Sequence, residues 1–239
     1  MGQYNSYRIR RRKNFYESLS LTNILIAANV AVFLAFLIIS GLAGISQDGE
    51  LANNLVKYTA LNPSLFLSGY VWTLITSMFM HGSFTHLFVN MVSLFFIGNF
   101  LERIIGRKRF MWFYFISGIT AGLFFVFLAF FGSYFSWGAS VFGGIDSFAV
   151  GASGALFGLG GLLAVLIPRL KVLVFFVIPM PMWLAMAVLM FGIWAISIAA
   201  GLPVGNTAHF GGLLVGIFYG LYLRSKYSRK VRALNRMFV

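Results

Sequence analysis

Residues 150–161 read Val-Gly-Ala-Ser-Gly-Ala-Leu-Phe-Gly-Leu-Gly-Gly, a serine held between glycines at the head of a segment apolar enough to lie in a bilayer. In membranes, small residues repeated every four positions let helix backbones approach closely. Ser153 is therefore either part of a packing face or a nucleophile, and this stretch alone leaves both readings open. A second series bears on the choice: Ala208, Gly212, Gly216 and Gly220 stand four apart, directly beside His209. Two such faces docked together would bring His209 to Ser153.

Of the 239 residues, 60% are hydrophobic and 10% charged, too few polar groups to cover a water-facing surface. The bilayer is the solvent this composition fits. Without cysteine the chain has no disulfide, no thiolate metal ligand and no cysteine nucleophile. An excess of 18 Lys and Arg over 5 Asp and Glu would point to nucleic acid in a soluble protein. Here its placement is topological, and no nucleic-acid partner is expected. Apolar runs of about 20 residues predict six transmembrane helices. They fall at about 22–44, 82–101, 109–131, 150–167, 182–200 and 207–223. Six spans put 17 of the 18 basic residues on one face and leave Lys57 on the other. The positive-inside rule then places both termini in the cytoplasm.

The expected fold is all-α and polytopic: a basic cytoplasmic tail at 1–20, one six-helix membrane domain at 21–223, and a second basic cytoplasmic tail at 224–239. The first span is long for the apolar core of a cleaved signal peptide and is expected to be retained. Both tails, the first carrying Arg8, Arg10, Arg11, Arg12 and Lys13, are expected to meet anionic headgroups. The aromatic loop at 45–81, with Asp48 and Glu50, is expected to lie in the outer interface. Residues 132–149 read as a flexible Gly/Ser/aromatic loop with Asp146 its only charge, and 172–181 as an interfacial lead-in to the fifth span. No internal repeat is evident, which weighs against a transporter built from inverted halves.

A serine hydroxyl is a weak nucleophile and needs a neighbouring base, most often histidine. The three histidines, His81, His86 and His209, all lie in or beside apolar segments, where ionisable groups are functional candidates by default. His209 is the candidate base. No Asp or Glu falls inside a predicted span, and Asp146, the acid nearest Ser153 in sequence, sits in a loop. A Ser–His dyad is expected rather than a triad with an orienting acid. His86 and Asn90 are four apart and share a helix face. Both can donate to the oxyanion of a tetrahedral intermediate, where losing one donor costs about 3–4 kcal/mol. Polar bonding between helices is the plain alternative for this pair. His81, five residues before His86 at the water boundary, reads as a supporting or water-handling group. With no carboxylate or thiolate beside the histidines in the membrane, no metal or other cofactor is expected.

Taken together, these motifs resemble the rhomboid intramembrane serine proteases of the prokaryotic, six-span type. His81, His86 and Asn90 match that family's H-x-x-x-x-H-x-x-x-N; Gly151, Ser153 and Gly154 match its G-x-S-G. Ala208, His209, Gly212 and Gly216 match A-H-x-x-G-x-x-x-G, and Glu102 and Gly106 match E-x-x-x-G after the second span. The resemblance covers about 60–224. It implies a six-helix fold with Ser153 as nucleophile and His209 as general base. His86, Asn90 and the Ser153 backbone N–H would form the oxyanion hole, supported by His81, Gly151, Gly154 and Gly212. It further implies transmembrane protein substrates met within the lipid bilayer, entry involving the fifth span, and a plasma-membrane location with the site open to the outer face. One departure stands out: many members have Trp-Arg in the first loop, and here Trp72 is followed by Thr73.

Two rival classes make different demands. A non-catalytic rhomboid-like protein that binds transmembrane clients would lack the serine or the histidine, and this chain keeps both. A channel or transporter for protons or cations would want acids inside the spans, and none is predicted there.

Overall fold

Among the described residues, the longer helices that pack as a bundle are α1 (Leu21–Ile45), α2 (Phe84–Ile105), α3 (Arg107–Gly132), α4 (Ser153–Leu166), α5 (Met182–Ala200) and α6 (Asn206–Lys226). The computed structural model describes residues 20–45, 49–175, 177–201 and 205–238. The predicted N-terminal tail with Arg8 to Lys13, Asp48 and the side chain of Glu50 lie outside what is described. Among the described residues, four helices, α1 through Leu42, α2, α3 and α5, are long and apolar enough to cross a membrane. The other two fall short for a physical reason. α4 has only 14 residues, and α6 is diluted by glycines and by Asn206, Thr207 and His209.

Those glycines set the central contact. A Cβ added at Gly212 would fall on the Gly154 carbonyl, and one at Gly216 on the Gly158 carbonyl. At Gly161 it would stand 2.7 Å from the Leu213 carbonyl oxygen, and at Gly220 2.7 Å from Val165 Cβ. The α4–α6 seam is thus backbone against backbone, as small-residue interfaces in membranes are. α3 closes the third side. A Cβ at Gly158 would lie 2.5 Å from Ser117 Cβ, and one at Gly154 2.6 Å from Ala121 Cβ. Phe110, Tyr114, Ser117, Ala121 and Phe125 form the buried stripe of α3 at helical spacing.

Where the second span is expected at about 82–101, helix α2 runs on to Ile105 through a π-turn at Leu94–Gly98. Glu102 thus lies inside the helix. Its carboxylate is buried because it accepts from Leu21 N–H, Thr22 N–H and Thr22 Oγ1, each at 2.9 Å. It caps the start of α1, where free N–H groups and the helix dipole favour an anion.

The first loop is folded rather than extended, with short helices at Gly49–Thr59, Pro63–Leu67 and Thr73–Thr76 and a 3₁₀ turn at Ser77–Phe79. Trp72 Nε1 donates to the Tyr58 carbonyl at 2.9 Å, and Thr76 Oγ1 to the Thr59 carbonyl at 2.8 Å. Buried Thr73 turns its hydroxyl onto the Tyr70 carbonyl at 2.6 Å. These bonds fasten the loop without an arginine at 73. Leu61 exchanges backbone hydrogen bonds with Ala149 at 3.0 and 2.7 Å, and Ser64 Oγ donates to Asp146 at 2.7 Å. The 132–149 segment, expected to be flexible, is therefore tied to the first loop and carries its own helix at Gly138–Phe142.

A correction falls at 172–181. Instead of a lead-in, strands β1 (Lys171–Val174) and β2 (Ile178–Pro181) pair antiparallel, Lys171 opposite Pro181 and Val174 opposite Ile178. The basic C-terminal tail carries a helix at Ser228–Asn235 and a turn at Arg236–Phe238. Asn235 Nδ2 donates to the Leu166 carbonyl at the end of α4. Arg109 at the start of α3 stands 5.7 Å from the centre of the Tyr227 ring. The basic residues of 103–109, 169–171 and 224–236 thus gather at the end of the bundle away from Ser153.

Candidate active site

Ser153 is the first residue of α4 and His209 lies in the first turn of α6, so the glycine seam joins them at one end of the bundle. Ser153 Oγ and His209 Nε2 are 2.7 Å apart. With the proton on Nδ1, Nε2 is free to accept from the hydroxyl. Both residues are half-buried. The earliest α4 bond runs from Leu156 N–H to the Ala152 carbonyl at 3.0 Å. The N–H groups of Ser153, Gly154 and Ala155 therefore have no acceptor within the helix. Together with the positive end of the helix dipole they suit a developing oxyanion beside Ser153.

Gly151 joins this helix start to α2. Its φ of +117° is open to glycine and strained for L-residues, and its N–H donates to the Ser77 carbonyl at 2.8 Å. A Cβ there would come within 2.7 Å of His86 Nε2 and 3.6 Å of Asn90 Nδ2. Both predicted α2 donors thus face the residue two places before Ser153. Ser83 starts their helix by accepting from His86 N–H at 3.1 Å, and Asn90 Nδ2 rests on the His86 carbonyl at 3.1 Å. His81, buried, meets His86 edge-on with ring centres 5.1 Å apart. The structure therefore brings Ser153, His209, His86, Asn90 and His81 to one place, with Gly151, Gly154 and Gly212 at the contacts between their helices.

Sequence reading overlooked Phe157. Its ring stacks on the face of His209 at 4.4 Å and 14°, which restrains the imidazole by packing rather than by the in-plane hydrogen bond an acid makes in a triad. The signal was available: Phe157 lies four residues after Ser153, on the same face of α4. Asp146 plays no such part, since it is engaged by Ser64. The arrangement can deprotonate a hydroxyl and stabilise an oxyanion beside it, the two needs of acyl transfer.

The family model for the rhomboid domain matches residues 68–226. RHOMBOID-like protein 5 of Arabidopsis thaliana is 36% identical over 176 residues, 72% of this chain and 51% of that protein. Rhomboid protein 1, mitochondrial, of Saccharomyces cerevisiae is 31% identical over 226 residues, 92% of this chain and 59% of that one. Rhomboid protease AarA of Providencia stuartii is 30% identical over 228 residues, 90% and 76% of the two chains. The chain thus spans little more than half the length of the first two relatives. With its membrane-length apolar helices, this integral membrane protein belongs to the rhomboid family.

Proposed function

We propose that this chain is an intramembrane serine endopeptidase that cuts transmembrane protein substrates by a Ser153–His209 dyad. The observation that carries the reading is the 2.7 Å approach of Ser153 Oγ to His209 Nε2 at the open start of α4. Membership of a family that includes a named rhomboid protease supports it. In the first step Ser153 Oγ bonds to the scissile carbonyl carbon while its proton passes to His209 Nε2. The Ser153 N–H, with His86 and Asn90, receives the oxyanion. Collapse breaks the C–N bond, His209 gives the proton to the leaving amine, and an acyl-serine remains. Water then attacks that ester, yields its proton to His209, and releases the acid as Ser153 regains its hydrogen.

Depth follows from helix length. α4 rises about 21 Å over its 14 residues, short of a hydrocarbon core of about 30 Å. If all six helices span, with Arg169 and Lys171 at the cytoplasmic headgroups, Ser153 lies about 10 Å beneath the outer boundary. A substrate helix hides its carbonyls in its own hydrogen bonds, so cleavage favours segments with weak helix formers such as glycine near the cut. In proteoliposomes, full-length protein is expected to cut a model transmembrane substrate, and Ser153→Ala to abolish the cut with equal recovery of folded protein. Wild-type protein that retains the substrate without cutting it would favour the client-binding alternative instead.

A further inference from the structure

The end of the bundle opposite Ser153 carries a feature that hydrolysis does not use. Around the tip of the β1–β2 hairpin, Leu173, Phe175, Val177 and Ile178 are 60%, 64%, 75% and 46% exposed. Phe175 has φ of +51°, a left-handed conformation that glycine or asparagine adopts at lower cost. A phenyl ring held there, mostly exposed, gains little from protein contact and would gain from an acyl phase. Cations stand at the hairpin's base: Arg169 and Lys171 line an open cleft of about 510 Å³ with Pro179, Met180, Pro181 and Phe238. Phe238 belongs to the C-terminal turn and packs 5.8 Å from Phe100. Nearby, Arg109, Lys226 and Lys230 surround the Tyr227 ring at 5.7–5.9 Å. Among the described residues, the only carboxylate at this end is Glu102, and it is turned onto α1.

We propose that the cleft between the β1–β2 hairpin and the C-terminal turn binds the headgroup of an anionic phospholipid, with the hairpin tip seated among acyl chains. Charge and apolar surface both enter this choice. A free phosphate would satisfy Arg169 and Lys171 but leave the apolar tip in water, whereas a phospholipid satisfies both. A protein strand is a poorer fit, because Pro179 and Pro181 remove two N–H donors from β2. The proposal rests on the fold and on membrane residence, not on the chemistry of Ser153.

The test uses full-length protein. Because the chain lacks cysteine, Val177→Cys offers a single site for a nitroxide label. In mixed phosphatidylcholine–phosphatidylglycerol vesicles the label is expected to be reached more readily by oxygen than by a water-soluble nickel chelate. The opposite preference overturns the seating of the tip. By native mass spectrometry, detergent-released protein is expected to retain phosphatidylglycerol in preference to phosphatidylcholine. Arg169→Gln with Lys171→Gln is expected to weaken that retention roughly 30-fold, the effect of two interfacial cations. Lys171→Arg keeps the charge and is expected to keep the lipid, with the helical circular dichroism of every variant unchanged. Retention that is indifferent to headgroup or to both substitutions overturns the site. So does displacement of the lipid by inorganic phosphate alone, or a lipid-free dimer joined through the hairpin.

Discussion

α4 meets α6 on one face and α5 on another, and the two contacts are built from different material. Against α6 the contact is backbone on backbone, with no room for a Cβ at Gly212 or Gly216. Against α5 it is thioether: Met186 Sδ and Cε occupy the space a Cβ at Gly160 would need, with Met182 Cε 3.5 Å away. Methionine is unbranched and adapts its shape, whereas two helix backbones in contact have nothing to rearrange. α5 also carries a π-turn at Val188–Gly192 and leaves Trp183 and Phe191 exposed. Hydropathy marks both neighbours only as apolar helices; the spacing of small residues tells which contact is rigid. Ser153 and His209 sit on the rigid one, and the adaptable α5 contact is on the side where the family resemblance implies substrate entry.

The sharpest way to break this contrast is to widen the seam. Gly216→Val puts side-chain atoms where the Gly158 carbonyl lies and is expected to eliminate both a cooperative thermal melt and all cleavage. A wild-type melt from this variant would refute the rigid seam. Next comes Gly151→Ala, strained by its φ and by His86. It is expected to lower cleavage by about 100-fold or more while shifting the melt little, since it disturbs the oxyanion side and not the seam. Phe157→Ala frees the His209 ring and is expected to reduce kcat between about 10- and 100-fold with KM unchanged. A change confined to KM would mean that Phe157 contacts substrate instead. Smallest is Met186→Leu on the α5 side, a near-isosteric swap expected to cost less than about 1.5 kcal/mol and to leave cleavage intact. A loss there larger than that of Gly216→Val would invert the comparison.

The juxtaposition of Ser153 and His209 was readable in advance because each helix advertises its packing face by small residues four apart. Phe157 obeyed the same spacing but resembled any core aromatic. Other features depended on partners distant along the chain. Hydropathy ends the second span at the charge of Glu102, since a scale treats every carboxylate as water-facing. The donors that make its burial favourable come from Leu21 and Thr22, some 80 residues earlier. Asp146 looked free for the same reason, its partner being Ser64. The β1–β2 hairpin escaped notice because its turn lacks the Asn-Gly type signal and instead carries Phe175 at positive φ. Its strands are short, apolar and without clear alternation, a pattern that does not separate strand from helix.

The central claim is that Ser153 is a nucleophile activated by His209. The most direct measurement is the intact mass of purified full-length protein after exposure to a fluorophosphonate. The account predicts one covalent adduct on the wild-type chain, mapped to Ser153, none on Ser153→Ala, and strongly slowed labelling of folded His209→Ala. Labelling of Ser153→Ala equal to wild type, or labelling at Ser153 indifferent to His209, would contradict it.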